Sequence, residues 1–306
     1  MNVTCARVAT PMNKNVSGLK HRRARIVRTL PALKRVIDQW RGRRDFMALV
    51  PTMGALHAGH HALVKLARRR ADRVTVSIFV NPTQFAPNED LAIYPRTFAA
   101  DVAALGDGGA DLVWAPSTAI MYPDGFATRI VPQGPALAGL EDAFRPYFFA
   151  GVATVVAKLL IQCEPDIAVF GEKDYQQLVV VRRLARDLGL RTRIVGAPTV
   201  REPDGLALSS RNRYLSPKER AAAPTLYRVL DGSAAEIAAG KPAASVLARG
   251  RATIKAAGFA LDYLEARDSV TLAPHGETDS RSIRLLVAAR LGKTRLIDNF
   301  GVKLPR

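Results

Sequence analysis

The sequence predicts an α/β fold, a Rossmann-like doubly wound parallel sheet followed by a smaller C-terminal α+β domain. From residue 46 to residue 195, short β-branched apolar stretches alternate with helical patterns, which is typical of parallel strands covered by helices on both faces. Beyond residue 200 the chain is polar and turn-rich, and then rich in alanine. We therefore expect a sheet domain over residues 26–199 that binds the ligands and a smaller lid domain over residues 200–306.

The first domain is expected to contain five strands and four helices. Apolar runs predict strands over residues 46–50, 74–80, 112–114, 167–170 and 193–195. The segments between them predict helices over residues 59–70, 97–105, 151–163 and 176–188. Because ligands bind beyond the carboxyl ends of parallel strands, polar residues that directly follow these strands are candidates for a site.

The second domain is expected to begin with helices and to end in paired strands. Ser216, Pro217 and Glu219 have the spacing of an N-cap, a first-turn proline and a capping-box glutamate. Alanine-rich helices are expected up to about residue 257, and paired strands over residues 284–290 and 295–300. Residues 1–25 are basic and lack both periodicity and the apolar segment of a signal peptide, so we expect a disordered extension.

Composition narrows the class of protein. The chain has 306 residues, with 45 basic and 27 acidic side chains, and a net charge of +18. The basic residues are scattered and not interleaved with aromatic ones, so we expect anionic small-molecule ligands and no nucleic-acid partner. The apolar runs are shorter than the ~20 residues of a membrane span, so no membrane partner is expected. Two distant cysteines favour a cytoplasmic location.

The most informative stretch is residues 50–60, Val-Pro-Thr-Met-Gly-Ala-Leu-His-Ala-Gly-His, which joins a strand to a helix. A turn there presents backbone N–H groups to an anion, and Gly54 and Gly59 allow close approach to a nucleotide. His57 and His60 would then stabilise the pyrophosphate leaving from ATP. Two alternatives stay open, zinc ligation and helix capping without chemistry, although the helix lacks the glutamate of a metalloprotease motif.

A second polar stretch, residues 81–85 (Asn-Pro-Thr-Gln-Phe), follows the strand predicted at 74–80. Asn and Pro are also typical of a plain turn, so this stretch alone decides nothing. Gln84 is less expected in a turn, and its amide can bond a carboxylate or a hydroxyl group. Gln84 is therefore a candidate ligand of a small acid.

A third stretch, residues 171–174 (Gly-Glu-Lys-Asp), follows the strand at 167–170. Such a turn is commonly a solvated loop, but at the carboxyl end of a strand Lys173 can hold phosphate and Asp174 can hold ribose hydroxyls. Gln177 lies three residues further and would face the same crevice.

In the turn-rich region, two hydroxyls and a guanidinium at residues 209–211 can bind a triphosphate, although a flexible surface loop would have the same composition.

Several blocks together resemble the pantothenate synthetase (pantoate–β-alanine ligase) family. They are VPTMGALHAGH, SIFVNPTQF, NEDLAIYPRT, GVATVVAKLL, FGEKDYQQL, SSRNRYLS and LLVAARLGKTRLIDN. They occur in family order and cover about residues 26–300. One His-x-Gly-His is shared with nucleotidyltransferases and class I aminoacyl-tRNA synthetases, whereas the whole series is specific.

The resemblance implies that (R)-pantoate attacks the α-phosphorus of ATP and that β-alanine then attacks the pantoyl adenylate, giving pantothenate, AMP and pyrophosphate. It implies catalytic roles for His60, as proton donor, and for His57, Lys173 and Arg211. It implies that Gln84 and Gln177 bind pantoate and β-alanine. It implies an ATP site made of Met53, Gly54, Ala55, Leu56, His57, Ala58, Gly59, His60, Gly171, Glu172, Lys173, Asp174, Val200, Leu208, Ser209, Ser210 and Arg211.

The resemblance further implies Mg²⁺ bound to the ATP phosphates, with Asp101 at an acidic position that would assist it, and a cytoplasmic homodimer. Three positions depart from the family pattern. His61 replaces a common leucine, Asp142 replaces a glycine, and Arg145 to Phe149 reads Arg-Pro-Tyr-Phe-Phe where the family has Arg-Pro-Gly-His-Phe. A polar part of the crevice is therefore expected to be apolar here.

Two other functions are kept as alternatives. A nucleotidyltransferase or tRNA-charging relative would use the same His-x-Gly-His chemistry, but Gln84 and Gln177 suit a small hydroxy acid better than a nucleic acid. A non-enzymatic basic protein would bind DNA with steep salt dependence and would not turn over ATP.

Overall fold

The structure, a computed structural model, describes residues 24–85, 91, 94–276 and 282–304. Of the basic extension predicted at residues 1–25, residues 1–23 lie outside the described residues, and Arg25 begins the first strand. The described residues form nine strands, which are β1 (Arg25–Val27), β2 (Met47–Thr52), β3 (Arg73–Ile78), β4 (Leu112–Trp114), β5 (Ile167–Gly171), β6 (Arg193–Ala197), β7 (Ala260–Asp268), β8 (Ser282–Leu291) and β9 (Thr294–Lys303).

Ten α-helices occur in the same residues. They are α1 (Leu30–Gly42), α2 (Ala58–Arg70), α3 (Phe98–Asp107), α4 (Thr118–Met121), α5 (Glu141–Phe144), α6 (Phe148–Cys163), α7 (Tyr175–Asp187), α8 (Pro217–Ala222), α9 (Thr225–Ala238) and α10 (Ala243–Ala256). Short 3₁₀ helices lie at Pro82–Gln84, Gly134–Leu137 and Ser210–Tyr214.

The first six strands form one parallel sheet in the order β1-β4-β3-β2-β5-β6. Alternate residues of a strand face opposite sides of a sheet, and β2 follows this rule. Met47 and Leu49 pack in the cluster that contains residues of α1, α6 and α7, whereas Ala48 and Val50 pack in the cluster that contains residues of α2 and α3. The sheet is therefore covered on both faces, as the sequence predicts.

The last three strands form an antiparallel sheet in the order β7-β8-β9. Leu285, Val287 and Ala289 of β8 pack in the cluster that contains residues of α9 and α10. Leu286 and Ala288 belong instead to the cluster beneath the large sheet. The small sheet is thus buried on both faces, and one strand contributes to two hydrophobic cores.

The predicted fold class and the five predicted strands are confirmed, with boundaries shifted by up to two residues. Strands β1 and β7 were not predicted. β1 has three residues, and two of them are exposed, so it shows no alternation. β7 has the sequence ALDYLEARD, in which charged side chains interrupt the apolar pattern.

The capping box expected at Ser216 and Glu219 is present at the start of α8. The domain boundary near residue 200 stays a prediction.

A buried polar cluster joins α5 to the small sheet. Glu141 of α5 accepts hydrogen bonds from Nη1 and Nη2 of Arg295, at 2.7 and 2.8 Å, and from the hydroxyl of Tyr263 at 2.7 Å. Arg295 also donates from Nε to Asp262 at 2.7 Å. Burial, followed by the nearby Glu141 carboxylate, raises the pKa of Tyr263 well above its ordinary value, so its hydroxyl stays a donor. Charged groups in such a place are stable only because each has its partners.

None of the helices within the described residues is long and apolar enough to cross a membrane.

We expect the substitution Arg295→Met to lower the free energy of unfolding by about 3–5 kcal/mol, because it removes both guanidinium hydrogen bonds from the buried Glu141 carboxylate and leaves it with the more distant Arg145, at 4.0 Å, as ionic partner. Denaturant unfolding monitored by circular dichroism measures this loss. The matched control is Arg249→Met, which breaks an exposed ion pair with Glu236 and is expected to cost less than about 1 kcal/mol. Equal losses in the two variants would contradict the importance of the buried cluster.

Candidate active site

The strand order reverses between β2 and β5. β3 and β4 lie on one side of this pair, and β6 lies on the other. Loops that follow two such neighbouring strands diverge and leave a crevice at their carboxyl ends. A cavity of about 1090 Å³ opens there, and it is lined by residues from both loops, from α6 and α7, and from the small sheet.

The turn after β2 is held by a buried carboxylate. Gly54 and Ala55 have φ angles of +83° and +51°, a left-handed conformation that is costly for alanine. Asp101 of α3, which is 4% exposed, accepts hydrogen bonds from the backbone N–H groups of Ala55 and Leu56 at 3.0 and 2.9 Å. It also accepts one from the hydroxyl of Thr97 at 3.1 Å. Asp101 therefore fixes the turn in a conformation that its sequence would not adopt alone.

His57 and His60 cap the start of α2. Nδ1 of His57 accepts a hydrogen bond from the backbone N–H of Gly59 at 3.1 Å, and Nδ1 of His60 accepts one from the backbone N–H of His57 at 3.3 Å. A Cβ atom at Gly59 would lie 2.8 Å from Cε1 of His57, so only glycine leaves room for this ring. The two histidines thus cap the helix, and this structural role is compatible with chemistry at the other ring nitrogen.

These hydrogen bonds correct one expectation. The sequence indicated free backbone N–H groups at this turn, but those of Ala55, Leu56, His57 and Gly59 are all bonded to side chains of the protein. The reason is that Asp101 and the two histidines are themselves good acceptors for the start of a helix. These four N–H groups are therefore not available to an anion, and side chains are the main candidate donors at this place.

Both histidines are neutral at ordinary pH. Burial, followed by the influence of the neighbouring His57, lowers the pKa of His60 to about 3. Burial, with the charge of Lys173 as the next cause, lowers the pKa of His57 to about 4. Because Nδ1 of each ring is an acceptor, the single ring proton lies on Nε2. The two rings lie 4.1 Å apart between centroids, so the pair offers two adjacent N–H donors.

Lys173 lies in the loop between β5 and α7, on the other side of the crevice. Its Nζ atom is 3.7 Å from a carboxylate oxygen of Asp174, and its side chain is 20% exposed. Lys173 and Asp174 both line the cavity, and so does Gln177 in the first turn of α7. The strand pairing thus brings the phosphate-binding candidates of two distant motifs to one place.

Gln84 ends the short 3₁₀ helix that follows β3. Asn81, which is 1% exposed, donates from Nδ2 to Oε1 of Gln84 at 2.8 Å and accepts a hydrogen bond from the hydroxyl of Tyr122 at 2.8 Å. Gly151 of α6 allows the close approach, because a Cβ atom there would lie 2.3 Å from the backbone oxygen of Thr83. The Gln84 amide is therefore oriented with its oxygen toward Asn81.

The turn-rich segment after β6 forms another wall of the cavity. Ser209 accepts a hydrogen bond from the backbone N–H of Arg211 at 3.3 Å and begins the 3₁₀ helix Ser210–Tyr214. Asn212 donates from Nδ2 to the backbone oxygen of Ala207 at 3.0 Å. The segment is thus ordered by its own side chains.

Most of the predicted site residues line this one cavity. They are Met53, His57, Gly59, His60, Gln84, Gly171, Lys173, Asp174, Gln177, Val200, Leu208, Ser209, Ser210 and Arg211. Others do not contribute to its lining, and these are Gly54, Ala55, Leu56, Ala58, Glu172 and Asp101. Glu172 instead accepts a hydrogen bond from Arg284 at 3.2 Å. The roles predicted for all these residues stay predictions.

The structure gives Asp101 contacts that differ from metal ligation. Both of its oxygens accept hydrogen bonds from the turn. Within the described ranges, no group of three or more His, Cys, Asp or Glu side chains could hold a metal ion, which also leaves the zinc alternative without a ligand set. The metal role predicted for Asp101 stays a prediction that these contacts do not support.

Sequence reasoning missed several polar residues that line the cavity, among them Asn81, Glu141 and Arg295. Asn81 was interpreted as part of a turn, and Glu141 and Arg295 were given no role, although both line the cavity. A buried Asn directly after a hydrophobic strand was the available signal for Asn81. Glu141 and Arg295 lie 154 positions apart in the sequence, so no local pattern could pair them.

The apolar replacement expected near residue 148 is present. Phe148 and Phe149 line the cavity, and the guanidinium of Arg145 lies 3.8 Å from the centroid of the Phe148 ring. Asp142 accepts hydrogen bonds from the backbone N–H groups of Gly139 and Leu140 at 2.9 and 3.0 Å. Of the unusual residues, Phe148 thus forms part of the crevice wall, Asp142 supports the loop before α5, and Tyr147 is exposed.

Comparison with known proteins gives a consistent result. The family model described as pantoate-beta-alanine ligase matches residues 25–301. Pantothenate synthetase 2 of Bradyrhizobium diazoefficiens is 63% identical over 277 residues, covering 90% of this chain and 98% of that protein. A pantothenate synthetase of Rhodopseudomonas palustris is 61% identical with the same coverage.

Comparison with solved structures indicates the same family. The crystal structure of pantothenate synthetase from Thermus thermophilus has a TM-score of 0.84 and 48% identity, covering 90% of this chain and 98% of that one. The ligase from Francisella tularensis, complexed with beta-gamma ATP and beta-alanine, has a TM-score of 0.76 and 35% identity, covering 90% and 97%. This chain therefore belongs to the pantoate–β-alanine ligase family.

Proposed function

We propose that this chain condenses (R)-pantoate with β-alanine to pantothenate, using ATP and passing through pantoyl adenylate. One observation carries the proposal in addition to the family. His57, His60 and Lys173, which suit a polyphosphate, line the same cavity as Gln84 and Gln177, which suit a small hydroxy acid. A cavity of about 1090 Å³ has room for both substrates side by side.

In the first step, a carboxylate oxygen of pantoate attacks the α-phosphorus of ATP, and the bond from that phosphorus to pyrophosphate breaks. Negative charge grows on the leaving pyrophosphate. Lys173 and Arg211 supply positive charge there, and the two imidazoles supply N–H donors. Preorganised donors of this kind are each worth about 3–4 kcal/mol in the transition state.

The low pKa values of the histidines favour hydrogen bonding over the proton donation that the resemblance implies for His60. Burial lowers the pKa of His60 to about 3, so its ring is neutral near neutral pH before ATP binds. Its Nε2–H group can still donate a hydrogen bond to a phosphate oxygen, and the same holds for His57. We propose that the pair acts by hydrogen bonding, and that pyrophosphate leaves without taking a proton from either ring.

In the second step, the amine of β-alanine attacks the acyl carbon of pantoyl adenylate, and AMP leaves. Gln84 supports this step by its orientation. Its Oε1 is held by Asn81, so its Nε2 group is the end that would meet a carboxylate or hydroxyl of pantoate. Gln177 lies across the same cavity, so the two amides would fix the acid between nucleotide and amine.

Mg²⁺ is implied by the resemblance, but the described side chains do not form a metal site of their own. Asp101 is occupied with the turn after β2, and the described residues contain no group of acidic and histidine side chains suited to a metal. We propose that Mg²⁺ is bound by the ATP phosphates. It would neutralise part of their charge there.

The nucleotidyltransferase alternative is less well supported, because two amides in one cavity suit a small acid.

We further propose that the enzyme is a cytoplasmic homodimer. We also propose that residues 200–306 act as a lid over the nucleotide, since Val200 and residues 208–211 line the same cavity as the histidines.

The protein is expected to release pyrophosphate from ATP only when pantoate is present, and His60→Ala is expected to lower this rate about 100- to 1000-fold. A coupled pyrophosphate assay measures both. The substitution also removes a helix-capping acceptor, so a loss of about 1 kcal/mol in the free energy of unfolding accompanies it.

His61→Ala is the control for this experiment, because His61 is adjacent in sequence but does not line the cavity. Its rate should stay within about twofold of the original. Pantoate-independent pyrophosphate release, or full activity of His60→Ala, would contradict the proposed site.

Gln177→Ala is expected to raise the KM for pantoate by about tenfold or more, while the KM for ATP changes little. The reason is that a hydrogen bond to a charged group is worth about 1.5–3 kcal/mol, which corresponds to about 10- to 150-fold. Initial rates at varied concentrations of each substrate separate the two constants. A larger increase in the KM for ATP than in the KM for pantoate would contradict the proposed contact between Gln177 and pantoate.

Both histidines are expected to be neutral, with the proton on Nε2, at pH 6. Long-range ¹H–¹⁵N correlation spectra of ¹⁵N-labelled imidazoles report the tautomer and its titration. Since the folded pKa values of about 4 and 3 lie below the ordinary value of 6.5, the unfolded chain binds protons that the folded protein does not. The free energy of unfolding should therefore fall as the pH decreases from about 6.5 to 4. An imidazolium signal at pH 6 would contradict this assignment.

A further inference from the structure

Lys173 lies in a short loop that runs from Gly171 at the end of β5 to Asp174 before α7. One end of this loop is held by β6, because Gly171 pairs with Ala197 and the backbone N–H of Glu172 donates to the backbone oxygen of Ala197 at 2.8 Å. Placing Lys173 accurately requires that the backbone beyond this hydrogen bond is also held.

Asn299 of β9 provides that hold. Its Nδ2 group donates to the backbone oxygens of Glu172 and Lys173, at 2.9 and 2.7 Å. Its Oδ1 accepts a hydrogen bond from Nε of Arg284 at 2.7 Å. The side chain is 3% exposed, and both amide protons and the oxygen have partners. The small sheet thus contacts the backbone of the lysine loop directly.

Arg284 of β8 holds the residues on either side of Lys173. Its Nη2 atom lies 3.2 Å from a carboxylate oxygen of Glu172, and its guanidinium lies 3.9 Å from the centroid of the Tyr175 ring. Arg284 also fixes the amide of Asn299 through Oδ1. The same two strands therefore contact the lysine loop before, at and after Lys173.

Asn299 is itself held firmly on β9. Its backbone N–H donates to Oδ1 of Asp298 at 2.7 Å, and Asp298 is paired with both terminal nitrogens of Arg201, at 2.6 and 3.0 Å. Asp298 is 5% exposed, so this ion pair is largely shielded from water. Asn299 is thus a rigid support, which a residue that positions a catalytic group must be.

We infer that Asn299 is a positioning residue for Lys173: the small sheet sets the place of the catalytic lysine through the two hydrogen bonds of one amide. This inference rests on the proposed function, in which Lys173 stabilises the leaving pyrophosphate. Asn299 lines the same cavity, but its amide oxygen and its amide nitrogen are bonded to the protein, so it acts on the backbone of the lysine. Its loss should therefore lower the rate of the first step and leave the affinity for pantoate almost unchanged.

The test uses the full chain and two variants of residue 299. Asn299→Asp keeps the shape but replaces both donors by an oxygen that repels the two carbonyls. Asn299→Ser removes both donors without adding charge. Pantoate-dependent pyrophosphate release is expected to fall about 100-fold in each, the usual effect of a displacement of about 1 Å in a catalytic group. The KM for pantoate should change less than about threefold.

Combination with Lys173→Ala separates positioning from a general structural effect. If Asn299 acts only through Lys173, adding Asn299→Ser to Lys173→Ala should change the rate by no more than about twofold. Rate losses that multiply in the double variant would overturn the inference. Loss in Asn299→Asp alone, with normal activity in Asn299→Ser, would also overturn it, because the cause would then be the added charge.

A measurement without turnover keeps the inference independent of the proposed function. The crystal structure of Asn299→Ser is expected to show the backbone of Lys173 displaced by about 1 Å or more from its place in the unchanged protein. An unmoved loop would refute the positioning role even if the enzyme proved to have another substrate. Absence of pantoate-dependent activity in the unchanged protein, together with a moved loop, would refute the proposed function alone.

Discussion

The site depends on the parallel pairing of β2 with β5. Ala48 and Leu49 of β2 pair with Ile167 and Ala168 of β5, at the point where the order of strands reverses. This pairing makes neighbours of two loops that are far apart in the chain. One loop carries His57 and His60 and the other carries Lys173. A shift of one residue in this register would turn the apolar side chains to the wrong face and would also separate the loops.

Around that pairing, the protein uses its own side chains to satisfy the backbone. Asp101 holds the turn after β2, His57 and His60 cap α2, and Asn299 holds the loop after β5. The N-terminus of α2 is therefore not an open anion site of the usual kind. Neutral imidazoles replace backbone N–H groups as the donors that face the cavity. The orientation of the two imidazole rings is consequently fixed by the same hydrogen bonds that cap α2.

Sequence reasoning succeeded where the information is local. The strand at residues 112–114 was predicted to the residue, because Leu112, Val113 and Trp114 form a short apolar run between turns. The capping box at Ser216 has a fixed spacing, and it was also predicted. The role of Asp101 was missed because its partners lie 45 and 46 positions away. Asn299 and Arg295 were missed for the same reason, since their roles come from contacts with Lys173 and Glu141, which lie 126 and 154 positions away in the sequence.

The contact between Glu141 and Arg295 has a consequence for behaviour on heating. Charged groups lose hydration free energy as temperature rises, so the cost of keeping them out of water becomes smaller, whereas apolar burial gains little more per unit area. The contact between α5 and the small sheet should accordingly weaken less with temperature than the hydrophobic layers on either side of it.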